Sequence, residues 1–137
     1  MCYQFATNDE VEELKQDYLQ IRVLELAPRV YVSGQLFEHD VRLLAKQGVR
    51  SIMNNRRDGE SIRQPLSADL AKVAEELGVT FVHFPVDPRS ITRQDVETFA
   101  KACDQLERPL HIFCRSGARS TKMWEIAEST QPRANGY

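Results

Sequence analysis

Cysteine is scarce and unpaired: Cys2, Cys103 and Cys114 are the three in 137 residues, with no Cys-x-x-Cys spacing. An odd count without that spacing excludes a disulfide-stapled scaffold and fits a reducing compartment, where an isolated cysteine works as a thiol. Histidine is as sparse. His39, His83 and His111 show no metal-ligand spacing, so no metal site and no cofactor is expected. A surplus of basic charge is missing too: the formal net charge is −2, leaving no general field to draw nucleic acid or a membrane surface. No apolar run reaches the ~18 residues of a membrane span. The residues Met1 to Glu10 lack the basic start and apolar stretch of a signal peptide. The expectation is a cytoplasmic protein that acts through a local site on a small anionic molecule.

What is present is an ordinary globular balance, 42% apolar and 28% charged, in a length that suits one core. Residues 1–22 read as an N-terminal helical extension, 23–130 as the catalytic domain and 131–137 as a tail. In the extension, Thr7-x-x-Glu10 has the form of a capping box before Val11, Leu14, Tyr18 and Ile21 at helical spacing. Val23 to Leu26 and Arg29 to Ser33 flank Ala27-Pro28 as a short hairpin. A βα rhythm follows. Phe37, Val41, Leu44 and Ala45 mark a helix stopped by Gly48, and Val49 to Met53 a strand. Leu66 to Leu77 is a helix stopped by Gly78, and Val79 to Val86 a strand. Thr92-x-x-Asp95 caps a third helix carried by Val96, Phe99, Ala100, Cys103 and Leu106, which makes Cys103 a core residue. Pro109 to Phe113 is the last strand, and a helix runs from about Ala118 to Glu128. Strands alternating with helices imply an α/β fold with a mainly parallel sheet of four to five strands flanked by helices. Sites in such sheets form at the carboxyl ends of strands, which here are the segments after Met53, Val86 and Phe113.

The last of these is Cys114-Arg115-Ser116-Gly117-Ala118-Arg119-Ser120. A strand-to-helix loop turns its backbone N–H groups toward one spot and adds the partial positive charge of the helix end, which makes an anion cradle. Gly117 allows the tight curl, and Arg119 offers a planar fork for two oxygens. The same field favours a Cys114 thiolate, a nucleophile. Arg115, Ser116, Gly117, Ala118 and Ser120 are therefore expected to bind the anion through their amides. Ser120 can also hydrogen-bond the sulfur or satisfy helix N–H groups, and Arg115 suits the rim better than the clamp. Asp87, 27 residues before Cys114, could serve as a general acid or only fix the Asp87-Pro88-Arg89-Ser90 turn. Asn55, Arg56 and Asp58 follow a strand of the same sheet and are candidates for the mouth, or else Arg56 and Arg57 next to Asp58 form a solvated salt-bridge loop, the reading kept for Arg57.

The motifs Val32-Ser33-Gly34-Gln35, Asn55-Arg56-x-Asp58-x-Glu60-x-x-x-Gln64-Pro65, Pro85-Val86 and Cys114-Arg115-Ser116-Gly117-x-Arg119-Ser120 together resemble a bacterial family of phosphatase-like domains. The resemblance covers about Val23 to Glu128. It implies a fold like that of the protein tyrosine and dual-specificity phosphatases. It also implies association with β-lactamase-fold persulfide dioxygenases and other sulfide-oxidising enzymes, to which the family is often fused or beside which it is encoded. Arg57 departs from the family, which usually has proline there. The family also continues with more helical sequence after this loop, which implies a trimmed domain or a dispensable part. The loop itself has four residues between Cys114 and Arg119, the spacing typical of rhodanese-type sulfurtransferases and one short of tyrosine phosphatases. Phe113 also stands where a tyrosine phosphatase has histidine. The reading is therefore a thiolate enzyme that forms a Cys114 persulfide from thiosulfate or glutathione persulfide. The alternatives are a cysteine-dependent hydrolase of phosphate esters with Asp87 as acid, or a non-catalytic anion or persulfide sensor.

Overall fold

The computed structural model describes residues 21–130, so the amphipathic segment and capping box of the N-terminal extension, the tail 131–137 and Cys2 lie outside the described residues. The described chain runs β1 (Val23–Ala27), β2 (Val30–Ser33), α1 (Glu38–Lys46), β3 (Ser51–Asn54), α2 (Ser67–Glu76), β4 (Thr80–His83), α3 (Arg93–Gln105), β5 (Leu110–Phe113) and α4 (Ala118–Thr130). The strands form one sheet in the order β1-β2-β5-β3-β4. β1 pairs antiparallel with β2. The other neighbours are parallel, with Val32 beside Ile112 and Ile112 beside Met53. The expected α/β class and mainly parallel sheet are what is found.

The central strands bury both faces, as parallel sheets require. One face carries Ile52 and Phe113 under the buried residues Val41, Leu44, Leu70 and Val73 of α1 and α2. The opposite face carries Met53, Leu110 and Ile112 under Phe99, Cys103, Met123 and Trp124 of α3 and α4. Cys103 is fully buried in that second cluster, a small apolar residue of the core as its helical position predicts. The α3 start is the expected capping box: the Thr92 hydroxyl accepts the Asp95 N–H at 3.0 Å and Asp95 accepts the Thr92 N–H at 2.9 Å.

One strand is shorter than its apolar run predicts. Val79 to Val86 suggests eight residues, but β4 stops at His83. The chain then bends across the end of β3, with the Phe84 N–H on the Asn54 carbonyl at 2.8 Å and the Val86 N–H on the Asn55 carbonyl at 3.1 Å. That bend brings Val86 to the strand ends beside the Cys114 loop.

Candidate active site

β5 lies between β2 and β3, so the chain leaving Phe113 emerges in the middle of the sheet. Cys114 comes next, 1% exposed, and its Sγ accepts the Gly117 N–H at 3.1 Å. That bond needs the loop to curl back on itself. Gly117 supplies the curl with φ of +96°, a left-handed conformation that side chains disfavour. Below it, Gly34 lets two main chains touch: a Cβ there would sit 2.9 Å from the Arg115 carbonyl oxygen. The Gln35 N–H donates to the same carbonyl at 3.2 Å. The loop thus rests on the end of β2.

A buried polar pair stiffens that support. His111 Nε2 lies 2.7 Å from Ser33 Oγ, and Ser33 Oγ donates to the Gly34 carbonyl at 2.9 Å. A hydroxyl has one proton, so His111 Nε2 must be the donor in this pair. Burial pushes the imidazole down to about 4, which keeps it neutral at pH 7. Nothing in the sequence singles out His111 as functional, and Ser33 stands there only as one residue of the Val32-Ser33-Gly34-Gln35 motif.

Arg119 is 8% exposed and is held from two sides. Its Nη1 donates to the Asn55 and Val86 carbonyls, both at 3.1 Å, and to Glu60 Oε2 at 3.0 Å. Its Nη2 donates to Glu60 Oε1 at 3.0 Å, completing a fork on the carboxylate. Nε is buried and has no partner among the described residues. Four hydrogen bonds from Nη1 and Nη2 therefore fix the guanidinium beside the loop while Nε stays open.

Glu60 organises the whole corner. Besides Arg119 it accepts Arg56 Nε at 3.2 Å, and Arg57 Nε at 3.3 Å with the Arg57 N–H at 3.1 Å. The Arg119 hydrogen bonds above all, helped by those from Arg57 and Arg56, outweigh burial and hold the carboxyl down to about 2. In the sequence Glu60 is one residue of a motif, with no role of its own. Its signal there is a lone acid two residues after Asp58 in a loop rich in arginine.

The structure divides the remaining candidates differently from the expectation. Asn55 is fully buried, not at the mouth: its side chain donates to the Phe84 carbonyl at 3.0 Å and accepts the Ser120 hydroxyl at 2.8 Å. Ser120 therefore bonds neither the sulfur nor helix amides but ties the loop to Asn55. Arg56 is 4% exposed and joins Glu60 to Gln35 Oε1, at 2.9 Å. Asp58 accepts the Ser67 N–H at 2.9 Å at the start of α2. These three build the frame behind the site. Arg57, read as part of a solvated salt-bridge loop, is 41% exposed and paired with Glu60 and Asp87, and it also lines the cleft. Asp87 does not line the cleft. It is bracketed by Arg89, at 3.3 Å, and Arg57, at 3.8 Å. The Arg89 backbone N–H and then its guanidinium hold the Asp87 carboxyl below its ordinary value, the opposite of what a general acid needs.

The cleft that exposes this arrangement has a volume of about 610 Å³, with Cys114, Ser116 and Ala118 of the loop in its lining. Five cationic residues line it, Arg57, Arg89, Arg115, Arg119 and Lys122, against the single carboxylate of Glu60. The amides of Arg115, Ser116, Arg119 and Ser120 donate to no protein acceptor among the described residues. A buried cysteine, open amides, a fixed guanidinium and cationic walls together suit a site for an anion.

The chain is similar to several known proteins. A protein of Xylella fastidiosa (strain 9a5c) named β-lactamase hydrolase-like protein is 31% identical over 108 residues, 79% of this chain and 25% of the relative. The chain thus spans about a quarter of the curated relatives it matches. A crystal structure from Neisseria meningitidis Z2491, of a protein provisionally named a phosphatase, superimposes with a TM-score of 0.71 at 38% identity, covering 80% of this chain and 79% of the other. Another protein with such a provisional name, from Shewanella putrefaciens CN-32, gives 0.69 at 25% identity over 92% and 82%. The fold is phosphatase-like, shared with these neighbours. Residues 21–131 match the model of the phosphatase-like domain of β-lactamase hydrolase-like proteins, and the chain belongs to that family.

Proposed function

We propose that this domain is a cysteine-dependent sulfurtransferase. The Cys114 thiolate attacks the outer sulfur of thiosulfate or of glutathione persulfide. The sulfane bond breaks, sulfite or glutathione thiolate leaves with the bond pair, and Cys114 becomes a persulfide anion. A second thiolate then takes the sulfur away. Charge and atoms balance without any proton transfer.

The observation that carries this reading is that neither carboxyl near the cleft, Glu60 or Asp87, is held protonated to serve as a general acid. The carboxylate that lines it, Glu60, is held at about 2 and bonded by three arginines. Asp87 is outside the cleft, paired with arginine, and shifted toward ionisation. Release of an alkoxide from a phosphate ester gains from an acid; release of sulfite or a thiolate needs none. The four-residue spacing to Arg119 supports the same chemistry. The competing reading, phosphate ester hydrolysis, rests on the fold and on the family's phosphatase-like character. In that case the substrates are esters whose leaving group departs without a proton.

Intact mass after incubation with thiosulfate or glutathione persulfide decides between them. A one-sulfur adduct that disappears in Cys114→Ser supports sulfur transfer. No adduct, together with steady turnover of an aryl phosphate that Cys114→Ser abolishes, establishes the hydrolase. A sulfide-oxidising or persulfide dioxygenase partner would supply or consume the sulfur, and loss of the adduct on adding such an enzyme is the corresponding test.

A further inference from the structure

The loop seats one reacting group, yet the cleft above it has about 610 Å³. That volume falls in the range of ~300–1,000 Å³ that holds an organic small molecule, not a bare inorganic ion. Its walls also carry more positive charge than one anion needs. Arg119 is neutralised by Glu60 through two bonds of 3.0 Å. Arg57 and Arg89 share Asp87, at 3.8 and 3.3 Å. Arg115 and Lys122 differ: both are exposed, both line the cleft, and neither has an acidic partner among the described residues. Two unpaired cations on one bank are a cost through mutual repulsion unless an anion sits between them. The chain as a whole is acidic, so this local surplus is not a by-product of composition.

We propose that Arg115 and Lys122 form a second anion subsite, and that the ligand of this cleft is a small molecule bearing at least two anionic groups. One group, or the sulfane sulfur next to it, enters the Cys114 loop; the other is held at the rim by Arg115 and Lys122. Pro88 and Ile91, also in the lining, give the stem between the two groups an apolar wall. The inference rests on the anion-binding role of the loop but not on whether sulfur or phosphorus is transferred. Under the sulfur reading it selects a carboxylated thiol persulfide over bare thiosulfate.

The test is calorimetric titration of Cys114→Ser protein, which cannot turn over, with inorganic phosphate and with inorganic tripolyphosphate at one ionic strength. Tripolyphosphate should bind at least about tenfold tighter. Arg115→Ala with Lys122→Ala should cut the ratio of the two affinities by about tenfold, in line with the removal of two exposed charge contacts. Lys72→Ala with Lys101→Ala removes the same charge from α2 and α3 away from the cleft and should leave the ratio unchanged. An equal fall in both double variants means a general field and overturns the subsite. Binding of phosphate with no preference for tripolyphosphate also overturns it, while the anion-loop reading stands. Binding of neither ligand refutes both.

Discussion

Replacing Glu60 by glutamine should both destabilise the domain and erase one segment of its acid unfolding. In the native fold the carboxyl sits at about 2 against an ordinary 4.5, through the Arg119 hydrogen bonds first. Every tenfold gain in acidity on folding is worth about 1.4 kcal/mol, so the ionised carboxylate contributes on the order of 3 kcal/mol. Its folded value is depressed, so that stability is complete above 4.5 and is lost as pH falls through 2. Removing the half-buried Glu60 acts in the same direction by another route, because the buried Arg119 then keeps its charge with only carbonyls for partners. His111 gives a separate window. Burial lowers it from 6.5 to about 4, so the unfolded chain binds its proton first and stability falls between those values. The assay is urea unfolding followed by fluorescence of Trp124, the one tryptophan and 3% exposed, at half-unit steps from pH 7 to the acid limit. Wild type should lose stability in two stages, above and below about 4. Glu60→Gln should start about 3 kcal/mol lower and keep only the upper stage. Equal stability at pH 7, or an unchanged slope below 4.5, would refute the role given to this carboxylate.

Three further outcomes rest on the same geometry. His111→Asn should flatten the stage between pH 6.5 and 4 and lower the rate of Cys114 modification through loss of the Ser33 support, read by quenched adduct formation and mass. Gly34→Ala forces a Cβ to 2.9 Å from the Arg115 carbonyl oxygen, so it should cost about 1–3 kcal/mol in urea unfolding and depress activity more than stability. Asp87→Asn should change turnover of an aryl phosphate by less than about threefold, since proton donation of the kind worth ~100-fold or more is absent; a hundredfold fall would restore Asp87 as the acid.

The order of elements and the position of Cys114 were legible because they depend on local patterns. Glycines after apolar periodicity marked the ends of two helices, and Thr92 with Asp95 marked the start of a third. What could not be read was which polar residues face each other across distant segments. Asn55, Arg56 and Asp58 look like mouth residues because they follow a strand, yet Asn55 is buried under the bend at Phe84, Arg56 is bound by Glu60 and Gln35, and the exposed Asp58 holds the start of α2. Arg119 looks like a free fork, and only the folded loop shows Glu60 already occupying one side of it. His111 and Ser33 are 78 positions apart and meet only because β2 and β5 pair in parallel. The overlong strand at Val79 to Val86 has the same origin: apolar character continues past His83, but it serves the turn that delivers Val86 to Arg119 and not the sheet.

The placement of β5 between β2 and β3 bears on how the molecule comes to exist. Among the described strands the one that leads into Cys114 comes last in chain order, and it must slip into a slot between two others already produced. Until then both flanking strands show bare edges, a state open to pairing with other chains. Closing of the sheet and formation of the Cys114 loop are thus tied together, so an anion held by that loop would act on the newborn chain as a latch.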